Sequence, residues 1–205
     1  DFTPYINTKL VRPGEAPRSW KELLEPKWKG KMSLTEPNIA GVYQYIAVLM
    51  DNKVWDEDYI RALYRQDLRF YNALPDEFLA LARGDNHLVI RGSDSDAGRV
   101  ALEGAPIQAI DMREGVMLSS GAVAAIAGGP NPNATRVFLN WILSPEGQTI
   151  AGKAQGNRMV RNDVPDFRPA GVKTAAPSLL VEKGEHLEKG TQLFRDRWFD
   201  KLVGR

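Results

Sequence analysis

The sequence predicts an α/β fold, a parallel-rich sheet flanked by helices, on three observations. Short apolar runs of strand length, such as 32–35, 87–90 and 106–110, alternate with longer stretches whose apolar residues recur at helical spacing. That alternation marks βαβ units, whose crossover helices cover both sheet faces. Residues suited to caps and stops, among them Ser19, Pro26, Gly84 and Ser144, stand where those stretches meet. Finally, 205 residues, 43% hydrophobic and 26% charged, suffice for one large domain or two small ones that fold unaided.

The elements follow in chain order. Tyr5–Val11 reads as a strand, broken by Pro13 and Gly14. Ser19 caps a short helix from Trp20, which Pro26 stops by removing a backbone donor. Trp28 in KWKGK reads as a turn anchor under solvated lysine stems. Met32–Thr35 is a strand, and Glu36, Pro37 and Asn38 lead into a helix with Ile39, Val42, Tyr43, Ile46, Ala47 and Met50 on one face. Trp55 opens a helix carrying Tyr59, Ile60, Leu63 and Tyr64. Residues 67–71 form a strand, and Pro75 and Asp76 open a helix with Phe78, Leu79 and Leu81 inward. His87–Ile90 is a strand opening into Gly92–Asp96, and a helix then reaches Gly104. Pro106–Ile110 is a strand, and Gly115–Ile126 is extended with a break at 119–121. Asn133 caps a helix whose face is Ala134, Val137, Phe138, Trp141 and Ile142; Ser144, Pro145 and Glu146 start the next. Residues 166–177 read as a surface loop. A terminal helix over about 187–203 docks Leu193, Phe194, Trp198, Phe199 and Leu202 on a core.

Composition excludes several function classes. A net charge of +1 makes no electrostatic case for nucleic acid or an anionic membrane surface. No apolar run is long enough to span a bilayer. The absence of cysteine excludes thiolate metal sites and cysteine nucleophiles, and two isolated histidines, His87 and His186, speak against a histidine-rich metal site. Neither GxxxxGK[ST] nor GxGxxG occurs, and no Ser–His pairing is suggested. No cofactor and no catalytic residue is therefore expected.

Three ordered blocks carry a family resemblance. GGPNPNA and LSPEGQ lie within 127–148, YINTKLV and APRSWKELLEPKWKGKMSLTEP lie at 5–11 and 16–37, and GNRMVRNDVP lies at 156–165. Together they resemble bacterial extracellular solute-binding proteins of ABC importers, the two-lobed group that includes the ferric-iron binders. The resemblance implies a type II periplasmic-binding-protein fold with the second lobe complete and the first only partial. On that basis 1–8 is a hinge strand, 9–112 lobe two, 113–118 a hinge crossover and 119–205 the C-terminal part of lobe one with its terminal helix. It also implies a longer exported protein, periplasmic or extracellular, whose signal and early lobe-one segment are absent here. An incomplete lobe one would leave the helices at 134–143 and 145–154 to find cover in a second copy, by self-association, or in the terminal helix around Trp198.

The implied function is capture of a small solute in an interlobe cleft and its delivery to a membrane permease. Ligands of open α/β sheets gather at the carboxyl ends of strands, beside helix N-termini. Thr35, Glu36, Asn38 and Gly41 form one such loop and Gly92, Ser93 and Asp94 another; in the resembled family both border the cleft. Glu114 falls at the crossover, and Arg158 offers a guanidinium for a carboxylate or phosphate, as Arg91, Arg113 and Arg161 also do. Each has a structural reading as well, as a cap, a turn acid or a surface ion pair. The iron-binding relatives carry adjacent tyrosines where this chain reads IRGSDSD. A small organic acid or other polar solute therefore fits better than ferric iron, which Asp94, Asp96 and Glu114 keep as an alternative. An effector-sensing module or an enzyme on the same fold is a further alternative.

Overall fold

A computed structural model describes residues 1–37, 40–119, 121–175 and 178–204, with the backbone alone at Pro13 and Ala40. Asn38 and Ile39, named above, lie outside the described residues. Strands β1 (Phe2–Asn7), β2 (Met32–Thr35), β3 (Arg69–Tyr71), β4 (Leu88–Ser93), β5 (Ile107–Ala109), β6 (Val116–Leu118) and β7 (Leu179–Val181) form one sheet. Its order is β3-β2-β4-β1-β6-β7, with β5 also on β1. The pairs β2–β3, β2–β4 and β6–β7 are parallel. β1 runs against β4, β5 and β6, so the antiparallel pairing comes from this one inserted strand.

The helices are α1 (Ala40–Asp51), α2 (Glu57–Tyr64), α3 (Leu74–Arg83), α4 (Asp94–Leu102), α5 (Pro132–Ile142), α6 (Pro145–Gln155), α7 (Gly184–Arg195) and α8 (Trp198–Val203). Successive strand residues point to opposite faces, and two cores result. Ile6, Leu88 and Ile90 join Trp20, Val42, Tyr45, Ile46 and Phe199 on the α1 side. Tyr5 and Val89 join Phe78, Leu81, Val100 and Val172 under α3 and α4. Trp28 is buried with Lys27 Nζ 5.3 Å from its ring centroid, a turn anchor as its neighbours suggest.

Several boundaries differ from the sequence reading, each for a local reason. β1 ends at Asn7 because its amide donates to Leu81 O (2.7 Å) and its carbonyl accepts from Val11 N (2.9 Å), closing a turn. Among the described residues of the expected extended run, only Val116–Leu118 is strand; 121–126 is exposed without a ladder partner. β7 lies in a stretch with no strand signal and is held by its parallel register, Val116 opposite Leu179. The terminal helix divides at Arg197, whose φ of 50° is left-handed. α5 starts after Asn131, which makes no side-chain cap, so Asn133 sits inside the first turn rather than capping it. Ser144 caps α6 as expected, accepting from Gly147 N at 3.1 Å.

The largest departure is the apolar face of α5, which spacing alone marks as buried. Val137 is 71% exposed, Phe138 51% and Trp141 39%. α5 packs on α6, and no residue of α5 is buried. The terminal helix does not supply its cover: Phe199 packs against Tyr64 and Phe70, and Phe199 N donates to Tyr43 Oη, all on the α1–α2 side.

Candidate functional site

β2 and β4 are parallel neighbours, with Ser33 opposite Val89, so their carboxyl ends share one sheet edge. α1 follows the first and α4 the second, which brings two helix starts to that edge. A bulge re-aims one side chain there. On β1 and β4, Thr3 faces Gly92 and Tyr5 faces Val89, so the single residue Pro4 opposes both Ile90 and Arg91. Pro4 has no N–H to complete a regular ladder. Val89 and Gly92 therefore both face the Tyr5–Phe78 core; a Cβ on Gly92 would meet Tyr5 Cδ2 at 2.4 Å and Phe78 Cζ at 2.8 Å. Ile90 and Arg91 share the opposite face.

Arg91 is only 7% exposed. Its Cζ lies 4.3 Å from the Phe2 ring centroid and 5.7 Å from that of Tyr45. Its Nε is buried with no hydrogen-bond partner. Nη2 lies 3.4 Å from where a Cβ on Gly41 would stand, so the guanidinium rests against the first turn of α1. Burial pulls the Arg91 pKa below the usual arginine value, opposed by the fields of Tyr45, Glu77, Asp96 and Glu182.

The residues marked in the sequence divide into groups. Gly41 lies beside Arg91. Thr35 is buried at the same edge, but its hydroxyl points inward and donates to Glu77 Oε2 at 2.8 Å, while Ser33 donates to Oε1 at 2.7 Å. Burial pushes the Glu77 carboxyl up to about 7, against those two hydrogen bonds and the charge of Arg91. Glu36 continues from β2, its N–H donating to Tyr71 O at 2.8 Å. Ser93 caps α4, accepting from Asp96 N at 3.1 Å.

Asp94 and Arg158 belong to a different arrangement. Asp94 pairs with Arg168 Nη1 at 3.3 Å, Asn157 donates to Ser95 Oγ at 2.8 Å, and α4 meets the end of α6 where a Cβ on Gly98 would touch Gly156 O at 2.3 Å. Arg158 reaches Asp1 Oδ1 at 3.3 Å. The 156–168 segment thus straps the start of α4. Glu114 is engaged by Ser19 Oγ and, at 3.4 Å, by Trp20 N, where it holds the short helix 20–24.

Sequence reasoning placed Arg91 among four interchangeable arginines and did not mark Glu77. The available signal was Pro4, since a proline inside a central strand implies a bulge.

Among the described residues, Asp51, Glu185 and His186 form a group whose ligand atoms lie within 4.8 Å of one another. His186 Nδ1 accepts from Lys183 N (2.9 Å), which leaves the proton on Nε2, facing Asp51 Oδ2 at 3.2 Å. No imidazole lone pair remains for a metal in that arrangement. Surface hollows of about 400 and 490 Å³ flank Tyr64 and Arg65, and one of about 350 Å³ lies between Ala16–Arg18 and Gln108–Asp111; Arg91 and Gly41 line none of them.

The family model described as "Bacterial extracellular solute-binding protein" matches residues 2–178. The chain belongs to this family. An uncharacterized protein of Haemophilus influenzae (strain ATCC 51907 / DSM 11121 / KW20 / Rd) is 29% identical over 161 residues, covering 75% of this chain and 46% of that protein. The fold of this solute-binding family member is shared with two solved structures. One is the periplasmic binding protein AfuA from Actinobacillus pleuropneumoniae with fructose 6-phosphate bound, at TM-score 0.66 and 22% identity, covering 99% of this chain and 65% of that one. The other is a periplasmic thiamin binding protein, at TM-score 0.73 and 18% identity, covering 100% and 64%. The chain thus spans less than half the length of the curated relative and under two thirds of these structures. No described helix is long and apolar enough to cross a membrane.

Proposed function

We propose that this chain is part of the solute-capturing component of an ABC import system, working in the periplasm or outside the cell. A two-lobed body closes on a small solute because contacts to both lobes favour the closed state, and it hands the solute to a membrane permease. No bond is made or broken. Residues 9–112 serve as lobe two, joined by α7 and α8, which seat on α1 and α2, while 1–8 and 113–118 serve as the crossovers and the rest of 119–205 as the remaining share of lobe one. The pairing of β1 with β6 at Phe2 and Met117 supports two crossovers lying side by side.

One observation carries the placement of the site: in a chain of this family, the carboxyl ends of β2 and β4 meet the start of α1 at one edge. Glu36, Asn38 and Gly41 are the proposed solute contacts, joined by Arg91. The solute is a small polar molecule such as an organic acid. Ferric iron fits less well, because IRGSDSD offers no tyrosine, while Tyr43 is buried with its hydroxyl taken by Phe199 N.

Calorimetry and thermal-shift screening against organic acids, sugar phosphates, phosphonates, polyamines, thiamin and ferric citrate test this reading. Saturable binding of one class without chemical change is the expected result. Turnover of any of them would favour an enzyme.

A further inference from the structure

We propose that Arg91 selects a solute bearing an oxyanion, a phosphate ester or a carboxylate, and grips that group against the first turn of α1. This deepens the solute-capture reading and rests on it. An N–H taken from water without a hydrogen-bond partner is costly, so an arginine that is 7% exposed with its Nε buried and unanswered needs a reason. Its Nε carries an unanswered N–H, and Nη2 points at Gly41, whose missing side chain leaves the helix turn open to approach. The opening turn of an α-helix of twelve residues carries N–H groups with no intrahelical partner and positive potential at the same spot.

The acids whose fields reach Arg91 are held by others. Both Glu77 oxygens accept from Ser33 and Thr35, Asp96 is taken by Ser93 and Arg99, and Glu182 Oε2 accepts from Ser119. None supplies the fork that a guanidinium's parallel donors match, and a phosphoryl or carboxylate group does. The Phe2 and Tyr45 rings lie against the group and hold it in place before any ligand arrives.

The probes are inorganic phosphate, glucose 6-phosphate and citrate, with glucose and thiamin as uncharged and cationic comparators. In the intact chain, the Arg91 Nε–H resonance, identified by its loss in Arg91→Lys, is expected to shift saturably with the three oxyanions and not with glucose. By calorimetry, Arg91→Met is expected to weaken oxyanion binding roughly 100-fold and Arg91→Lys roughly 10-fold, the loss of two and of one charge-assisted hydrogen bond.

Two readouts separate this from a structural role. Arg91→Met should melt no lower than the parent, since an unpaired buried charge is removed; an arginine kept for packing would lower the midpoint. Gly41→Ala should raise the midpoint through helix propensity while weakening oxyanion binding, because its methyl group crowds Nη2. An unmoved Arg91 resonance, or an Arg91→Met protein that retains oxyanion affinity, overturns the assignment. If thiamin or glucose then binds, solute capture survives without it. If phosphate moves the resonance but no organic solute binds, the capture reading fails and the oxyanion site stands.

Discussion

Glu77 has no exposed surface, and its carboxyl, ordinarily near 4.5, is pushed up to about 7 by burial. The folded state therefore holds this proton more tightly than the unfolded state. Below pH 4.5 the group is protonated in both and costs nothing. As pH rises from 4.5 to 7 the folded state loses stability, on the order of 3 kcal/mol in all, and the loss is complete above 7. Glu77→Gln is expected to stabilise the protein at pH 8 by up to about that amount and to change little at pH 4. Urea unfolding at the two pH values checks this, and an equal effect at both would refute it. In the sequence, Glu77 is one acid among several in a helix start. Its difference from Asp76 beside it, which is exposed, arises because Ser33 and Thr35 are brought under it by β2.

At the scale of elements, the seating of α7 on α1 shows what a periodic pattern leaves out. Gly190 lets the two helices approach closely, since a Cβ there would lie 2.7 Å from Gln44 N, and Phe194 meets Tyr43 edge-on with ring centroids 6.0 Å apart. His186 fastens the start of α7, accepting from Lys183 N and facing Asp51 with its other nitrogen. His186→Ala is expected to cost about 1–3 kcal/mol, because a buried pair of hydrogen bonds is lost. Hydrogen exchange should quicken in 184–195 before it does in α3. Asp51→Asn, at an exposed end, should leave the unfolding midpoint nearly unchanged. Uniform quickening across the sheet would contradict a local fastening role. The sequence shows an amphipathic C-terminal stretch, but which helix receives it depends on residues more than a hundred positions away.

At the scale of the whole molecule, two cores account for most of the chain, while α5 presents Val137, Phe138 and Trp141 outward. Phe138→Ser with Trp141→Ser is expected to leave the unfolding midpoint nearly unchanged, because neither ring is buried, and a clear fall in the midpoint would contradict it. Phe78→Ala, fully buried beside Tyr5, should cost about 3–5 kcal/mol. The α/β class, the positions of most helices and the two loops at the carboxyl ends of β2 and β4 were legible in the sequence, because periodicity and capping chemistry are local. So was the family, through three ordered blocks. Tertiary structure alone decided that β1 runs against its neighbours and that β7 exists. It also decided that Thr35, Asp94 and Glu114 are held by partners within the chain, whereas Arg91 is turned toward α1 with no partner for its Nε. Those outcomes depend on register, and a single extra residue opposite Pro4 sends a side chain to the other face, which no one-dimensional pattern records.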